Sequence, residues 1–181
     1  MTVWDDFAAH VADLSDAGLV VDDVLEQARL SFLPLLQERF LPAAALRSSE
    51  SGSPWLLHQS EAMTVFLMSS PPGYVSSVHD HRGWGLVGQV LGEEVETRYR
   101  RGPDEEGLVR LEVAERRRVR PGEVVTIVPP AADIHQVVTL GSTNSVTVHA
   151  FAHDLVGEGF SLFEPALYSP SVYRGPYANA R

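Results

Sequence analysis

Residues 78–88 read Val-His-Asp-His-Arg-Gly-Trp-Gly-Leu-Val-Gly, a short stretch with two alternating histidines and three glycines. In an extended strand the side chains at i and i+2 project from one face, so His79 and His81 point the same way while Asp80 points to the other side. This spacing suits two imidazoles that bind one metal ion, and it leaves Asp80 as a structural hydrogen-bonding group. Trp84 is interpreted as a pocket wall, because the flanking glycines leave space around it.

A third histidine, His135, follows a second patterned stretch. Gly122 marks a turn, residues 124–128 form an apolar run, and Pro129-Pro130-Ala131-Ala132-Asp133-Ile134 leads into another strand. The two stretches lie in the middle of a long segment of short, Val-rich runs separated by Gly, Pro and Asp. Nine such runs with close turn signals, and no helical pattern between them, indicate an antiparallel sandwich or barrel. The predicted strands are 63–68, 74–81, 84–91, 94–100, 108–119, 123–128, 134–139, 146–152 and 160–163.

Helices precede these strands and an irregular tail follows them. Residues 1–47 carry apolar side chains at three- and four-residue spacing, which predicts one helix over residues 3–14 and another from Asp22 that bends or ends near Pro34. Residues 53–163 form the predicted barrel, against which the helical segment packs. Residues 164–181 contain three prolines and three tyrosines and are predicted to fold irregularly over the barrel as part of one structural domain.

The composition excludes several chemistries. The 181 residues include no Cys and no Lys, so disulfides, zinc fingers, thiolate nucleophiles, Schiff bases and P-loop lysines are ruled out. The formal charge of -10 argues against a nucleic-acid partner. No apolar window approaches the length of a membrane span and the start of the chain is acidic, so we expect a cytoplasmic protein with no membrane contact.

Arginine is concentrated in one part of the chain. Eight of the 14 basic residues lie between Arg98 and Arg120, in a segment that alternates like a pair of strands. We expect this segment to be a hairpin with a charged solvent face, in which the arginines are balanced by acidic residues. The acidic residues of that predicted face are Glu93, Glu94, Glu96, Glu105 and Glu106.

The two histidine stretches resemble the two sequence motifs of the cupin superfamily. The first motif is a His-x-His followed by a Gly about a dozen residues later, here His79, His81 and Gly92. The second runs Gly, Pro, small residue, His, here Gly122, Pro130, Ala132 and His135. The resemblance implies a mainly β fold, the cupin double-stranded β-helix, with a metal ion held by the three histidines.

One departure from the general cupin pattern bears on the chemistry. Many cupins supply a Glu four or five positions after the second His as a fourth ligand, and those positions here are Gly85 and Leu86. A site of three neutral histidines keeps the full charge of a divalent ion, whereas a carboxylate ligand would cancel part of it. Such a site favours anionic groups at its open positions, and a thiolate is the soft anion that benefits most.

The first stretch is similar, more narrowly, to the cysteine dioxygenase-like thiol dioxygenases. The matching text is residues 78–88, then Gly92-Glu93-Glu94-Val95-Glu96-Thr97, then Asp133-Ile134-His135. The resemblance covers residues 53–155 and implies Fe(II) held by the three histidines, with a small thiol and dioxygen as substrates and a sulfinic acid as product. Three histidines also accept zinc or nickel, so recombinant protein can carry either metal.

Two departures concern residues near the metal in that family. A Ser-x-His-x-Tyr set on a late strand corresponds here to Thr147, His149 and Phe151. Thr147 can still orient His149 through its hydroxyl, and we expect both to act in catalysis, but Phe151 has no phenol and would only shape the pocket. The tail tyrosines Tyr168, Tyr173 and Tyr177 are candidates to supply the phenol.

The second departure concerns the substrate. The arginine that holds the substrate carboxylate in cysteine-specific members corresponds to Ser53, which argues against plain cysteine, because a guanidinium is the natural partner of a carboxylate. Arg174 is a candidate for a different substrate pose.

Our leading hypothesis is therefore a mononuclear non-haem Fe(II) thiol dioxygenase. Two alternatives stay open. One is a three-His cupin of another class, such as a zinc or nickel isomerase or hydrolase, and the other is a cupin that binds a small ligand without catalysis. The sequence contains no pattern that defines the oligomeric state or the particular thiol.

Overall fold

Four helices and two short 3-10 turns are present in the computed structural model, which describes residues 2–47, 54–102, 110–130, 132–163 and 170–173. Helix α1 begins at a reciprocal cap, in which Thr2 and Asp5 exchange side chain-to-backbone hydrogen bonds. None of the described helices combines the length and hydrophobicity needed to cross a membrane. The helices are α1 (Val3–Asp16), α2 (Val21–Phe32), α3 (Ala43–Arg47) and α4 (Leu155–Glu158), with 3-10 turns at Leu33–Leu35 and Glu38–Phe40.

Within the described residues, eleven strands form two antiparallel sheets. The five-stranded sheet has the order β1-β2-β9-β4-β7, and the six-stranded sheet has the order β11-β10-β3-β8-β5-β6. The strands are β1 (Trp55–Gln59), β2 (Thr64–Ser70), β3 (Val78–His79), β4 (Gly85–Leu91), β5 (Glu93–Arg101), β6 (Leu111–Val119), β7 (Val124–Ile127), β8 (His135–Leu140), β9 (Ser145–Phe151), β10 (Phe160–Phe163) and β11 (Pro170–Tyr173).

This architecture confirms the predicted fold class, a mainly β double-stranded β-helix with helices before it. Three details differ from the prediction. The strand β1 was not predicted, β3 is only two residues long, and Pro170–Tyr173 pairs with β10 inside a tail that was predicted to be irregular. Strand β3 is short because the chain turns at residues 80–83, where Arg82 has a positive φ of 59°.

The five-stranded sheet has two chemically different faces. On β9 the alternate residues Val146, Val148 and Ala150 belong to a buried apolar cluster that also contains Phe7 and Phe32 of the helices. The intervening residues of β9 face the other way, into the barrel. The helices therefore cover the outer face of this sheet, and the inner face is left to line a cavity.

The prediction that the acidic residues of the arginine-rich hairpin face solvent is wrong for two of them. Glu94 and Glu96 on β5 are only 5% and 2% exposed, and they lie on the inner side of the six-stranded sheet. Glu93 lies on the outer side and pairs with Arg118. Glu105 and Glu106 lie outside the described residues.

Candidate metal centre

Three histidines from two paired strands and a turn converge inside the barrel. His79 on β3 lies directly opposite His135 on β8, and His81 follows in the turn after β3. The Nε2 atom of His135 lies 3.1 Å from Nε2 of His81 and 3.2 Å from Nε2 of His79. No other group of three or more histidine or acidic side chains in the described part of the chain comes together in this way.

The separations of these nitrogens suit a shared metal ion. With an ion about 2.1 Å from each nitrogen, the nitrogen–metal–nitrogen angles between His135 and each of the other two histidines would be about 95 to 100°. Such angles leave further coordination positions free. Without a cation, three imidazole lone pairs pointing at one another would repel. The residues present therefore fit a divalent transition metal, and the histidine-only donor set is compatible with Fe(II), Zn(II) or Ni(II).

The environment keeps His79 and His81 in the neutral form that binds metals. Burial, together with the neighbouring His135, lowers the pKa of His79 to about 3. Burial and the other histidines lower the pKa of His81 well below its ordinary value. A neutral imidazole offers a lone pair at one nitrogen, and the hydrogen bond at its other nitrogen decides which one.

Two of the three rings are oriented by hydrogen bonds at Nδ1. Nδ1 of His79 donates to the backbone oxygen of Ser77 at 2.9 Å, and Nδ1 of His135 donates to the carboxylate of Glu96 at 3.0 Å. Both bonds place the proton on Nδ1 and leave Nε2 free to bind a metal. Nδ1 of His81 has no hydrogen-bond partner among the described residues, and its ring is held instead by stacking on Phe151.

Glu96 is held as a carboxylate by its own charged neighbours. Its Oε2 atom lies 2.8 Å from Nε of Arg117 and 3.2 Å from Nε of Arg98. Burial acts to raise the pKa of Glu96, but the hydrogen bond from His135 and the two arginine charges outweigh it and lower the pKa to about 2. The sequence prediction missed this residue as part of the site.

The three histidines lie at one side of a cavity of about 270 Å³. The cavity combines apolar walls with a few polar groups, which is typical of a site for a small organic ligand. Its lining includes Phe66, Met68, Val87, Val137, Leu155, Phe160, Leu162, Ser70, Tyr74, Glu94, Thr147 and His149.

The predicted pair Thr147 and His149 lies in this lining. The Oγ1 atom of Thr147 is 2.9 Å from Nε2 of His149, as their spacing on one strand face predicted. The His149 ring stacks on Phe66 with ring centroids 4.6 Å apart, and burial lowers its pKa to about 3. His149 is therefore a neutral, fixed imidazole on the wall of the cavity that holds the three-histidine cluster.

The structure places the other two predicted pocket residues elsewhere. Phe151 is completely buried behind His81, with ring centroids 4.0 Å apart and an angle of 18° between the planes. Trp84 packs against the apolar cluster beneath the helices. Neither belongs to the cavity lining, because the turn after His81 directs Trp84 away and the His81 ring lies between Phe151 and the cavity.

Some predicted residues lie beyond what the structure describes. Ser53, Arg174, Tyr168 and Tyr177 are outside the described residues, and Tyr173 is described only by its backbone in β11. The predicted structural role of Asp80 agrees with the hydrogen bond that its carboxylate accepts from the Ser161 backbone at 2.8 Å.

A phenol that the sequence prediction missed does line the cavity. Tyr74 precedes β3 and lies among the lining residues. The signal that could have found it is its position just before the first histidine strand, within the segment predicted as strand 74–81. Glu94 and Glu96 carried a signal as well, since acidic residues at i and i+2 on a strand share one face.

Several solved structures are similar to this chain. No family model matches the sequence. Similar solved structures include a cupin superfamily protein from Desulfitobacterium hafniense, at 22% identity over 63% of this chain and 90% of that chain, with a TM-score of 0.45. An uncharacterized conserved protein with a double-stranded β-helix domain from Klebsiella pneumoniae shows 21% identity over 65% of this chain and 84% of that chain, with a TM-score of 0.46. A DMSP lyase from Ruegeria pomeroyi shows 16% identity over 64% of this chain and 52% of that chain, with a TM-score of 0.44. None of these three is described as a thiol dioxygenase.

Proposed function

We propose that this chain is a mononuclear non-haem Fe(II) dioxygenase that oxidises a small thiol to a sulfinic acid. The observation that carries the proposal is the convergence of three histidine Nε2 atoms beside a cavity, with those of His81 and His79 at 3.1 Å and 3.2 Å from that of His135. The resemblance of residues 78–88 to the thiol dioxygenases adds the reaction class.

The charge of the site supports a thiolate ligand. The three histidines are neutral donors, so a divalent ion held by them would keep its full charge and attract a soft anion. A carboxylate, Glu96, lies behind His135 and acts on the site through the hydrogen bond that it accepts from this ring. It raises the basicity of that imidazole without occupying a coordination position.

In the proposed reaction, both atoms of dioxygen become bonded to the sulfur of one thiol, so R–SH and O2 give R–SO2H. The electrons that reduce dioxygen come from the sulfur, and no further reductant is needed. Bound Fe(II) supplies the redox chemistry that makes this reaction of dioxygen with a thiol possible. The protein excludes water with the apolar walls around Phe66 and Phe160, and it directs the Thr147–His149 pair into the cavity, where their polar atoms can bond to the reacting group.

Oxygen uptake by protein loaded anaerobically with Fe(II) tests this proposal. Cysteine, cysteamine, 3-mercaptopropionate and mercaptosuccinate are offered in parallel, and the sulfinic acid is identified by mass spectrometry. We expect uptake with at least one thiol in the wild-type protein and none in His81→Ala, which removes one of the three nitrogens.

The matched control is His10→Ala, because His10 is an exposed histidine on α1, distant from the three-histidine cluster in the fold. It should keep the wild-type uptake. Iron-loaded protein that consumes no oxygen with any thiol would overturn the proposal. Retained zinc with metal-dependent turnover of a substrate that is not a thiol would then favour the isomerase or hydrolase class.

A further inference from the structure

Glu94 is a buried carboxyl group that lines the cavity and that the proposed reaction does not use. It lies on β5 and is 5% exposed. Among the residues that the structure describes along the cavity, Glu94 is the only carboxylate and there is no arginine. Burying such a group costs free energy unless it has a partner, so its place in a ligand cavity calls for an explanation.

A chain of buried hydrogen bonds fixes the position of Glu94. The Nε2 atom of Gln89 donates to Oγ of Ser145 at 2.6 Å, and Ser145 in turn hydrogen-bonds to the Glu94 carboxyl group. The amide occupies a lone pair of the Ser145 oxygen, which leaves the serine proton to be donated to the carboxylate. A carboxylate has about four acceptor positions, so one serine leaves most of them for a ligand.

The strand register separates Glu94 from the three-histidine cluster. On the paired strands β5 and β8, Glu94 lies opposite Thr139 and Arg98 lies opposite His135. The two positions are four residues apart along β5, which is about 13 Å of strand, although the ring of His135 leans toward Glu94 and hydrogen-bonds to Glu96, two residues away from it. The cavity lining includes both Glu94 and His135, so the cavity extends from the cluster toward this carboxyl group.

The charges favour a cation at this end of the cavity. A carboxylate attracts an ammonium group and repels a second carboxylate, and both effects are stronger where water is excluded. The net charge of -10 acts in the same direction on ligands approaching from solvent. Burial raises the pKa of Glu94, against the opposing hydrogen bond from Ser145, and a bound cation would restore its ionised form.

We propose that Glu94 is a specificity-determining residue that binds an ammonium group of the substrate, so that the preferred ligand carries a thiol at one end and a cation at the other. This assignment rests on the proposed function for the thiol end. It excludes mercaptocarboxylates as preferred ligands, because their carboxylate would face Glu94.

Calorimetric binding to the zinc-loaded protein tests the assignment without turnover. The probes are ω-aminoalkanethiols with chains of two to six carbons and mercaptoalkanoates of matched length. We expect the best aminothiol to bind about tenfold or more tightly than the matched mercaptoalkanoate, and Glu94→Gln to remove that preference. The control Glu93→Gln changes a neighbouring glutamate on the outer side of the sheet and should keep the preference.

A second variant separates recognition from a structural effect on folding. Glu94→Asp keeps the charge but withdraws it by one methylene, so the preferred aminothiol should become about one carbon longer. Loss of stability alone would not shift the preferred length. Equal losses in Glu94→Gln and Glu93→Gln, or tighter binding of mercaptoalkanoates by the wild type, would overturn the assignment.

Failure of this assignment is distinguishable from failure of the proposed function. If iron-loaded wild type and Glu94→Gln oxidise the same thiols with equal kcat/KM, the assignment is wrong and the dioxygenase stands. If aminothiols bind in a Glu94-dependent way but no thiol is oxidised, the dioxygenase is wrong and the assignment stands.

Discussion

Glu96 accepts a hydrogen bond from Nδ1 of His135 at 3.0 Å while two arginines bind its other oxygen. The carboxylate thereby connects the arginine-rich hairpin to the candidate metal centre. It fixes the tautomer of His135, because the proton must lie on Nδ1, and it keeps the imidazole ring in one orientation. Two of the arginines that the sequence analysis assigned to a solvent face, Arg98 and Arg117, thus hold Glu96 in position beside His135.

The variant Glu96→Gln should weaken metal binding. A glutamine oxygen can still accept the His135 proton, but it carries no charge, so the imidazole becomes a poorer donor and Arg98 and Arg117 lose their counterion. We expect the zinc affinity to fall by about 10- to 100-fold, measured by competition with a chromophoric chelator. Glu112→Gln on β6 is the control, since Glu112 is exposed and pairs only with Arg110 in the described contacts. Equal affinity in both variants would mean that Glu96 has no effect on the metal.

Gly85 leaves no room for a side chain beside Phe151, whose ring supports His81. A Cβ atom at Gly85 would overlap Cδ1 of Phe151 and would lie 2.8 Å from the backbone oxygen of Ala150. Gly85→Ala must therefore displace Phe151 and, with it, the stacked ring of His81. We expect a loss of about 1–3 kcal/mol in the free energy of unfolding, from chemical denaturation, together with weaker metal binding.

Gly88→Ala provides the matched control for this variant. Its Cβ atom would overlap Cδ2 of Leu36 and would lie 2.8 Å from Cε1 of Phe32, on the outer face of the same strand. It should reduce stability through the helix contacts and leave the metal affinity unchanged. If Gly85→Ala retains wild-type metal affinity despite its loss of stability, stacking on Phe151 is not needed to hold His81.

The fold and the three-histidine cluster were predictable because both depend on short-range patterns. The spacing of His79 and His81, and the turn before His135, place three imidazoles together in any barrel that pairs those strands. Glu96 was not predictable in the same way. The pattern Glu-Val-Glu favours an interpretation in which Val95 lies inside and the two glutamates lie outside. The structure reverses it because Glu96 finds His135, Arg98 and Arg117 as partners on the inner side.

The pocket wall was predicted less well for a related reason. Whether Trp84 and Phe151 touch the cavity depends on where the chain turns after His81, and Arg82 makes that turn with a positive φ of 59°. A sequence pattern shows that two glycines flank Trp84, but it does not show which side of the sheet the tryptophan reaches. Likewise Tyr74 reaches the cavity only because the strand 74–81 is broken before β3.

The free energy of unfolding should decrease at acidic pH, because the carboxylate of Asp5 at the start of α1 becomes protonated. The backbone hydrogen bond from Thr2, the hydrogen bond with His58 and the Thr2 hydroxyl lower the pKa of Asp5 to about 2 from 3.8. A lowered folded pKa means that its stabilisation is complete above pH 3.8 and is lost as the pH falls toward 2.

Asp5→Asn should therefore cost about 1 kcal/mol at neutral pH, a figure reduced for the solvent exposure of the carboxylate, and the difference from wild type should shrink at low pH. Thermal unfolding of both proteins between pH 2 and pH 7 measures it. The control is Asp6→Asn, at the next position of the same helix turn. A constant difference across this range would show that the carboxylate charge of Asp5 does not contribute.

The contact between Thr147 and His149 should matter for turnover and not for metal content. Thr147→Val keeps the shape of the side chain and removes the hydroxyl that lies 2.9 Å from Nε2 of His149. The imidazole then lacks the bond that orients it in the cavity, so kcat/KM for the best thiol should fall by about tenfold. Thr147→Ser restores the hydroxyl without the methyl group and should recover most of the loss.

Bound iron, measured by atomic absorption, should equal the wild-type value in both variants, because neither changes a metal ligand. An equal loss of activity in the valine and serine variants would mean that packing of the Thr147 methyl group, and not its hydroxyl, sets the position of His149.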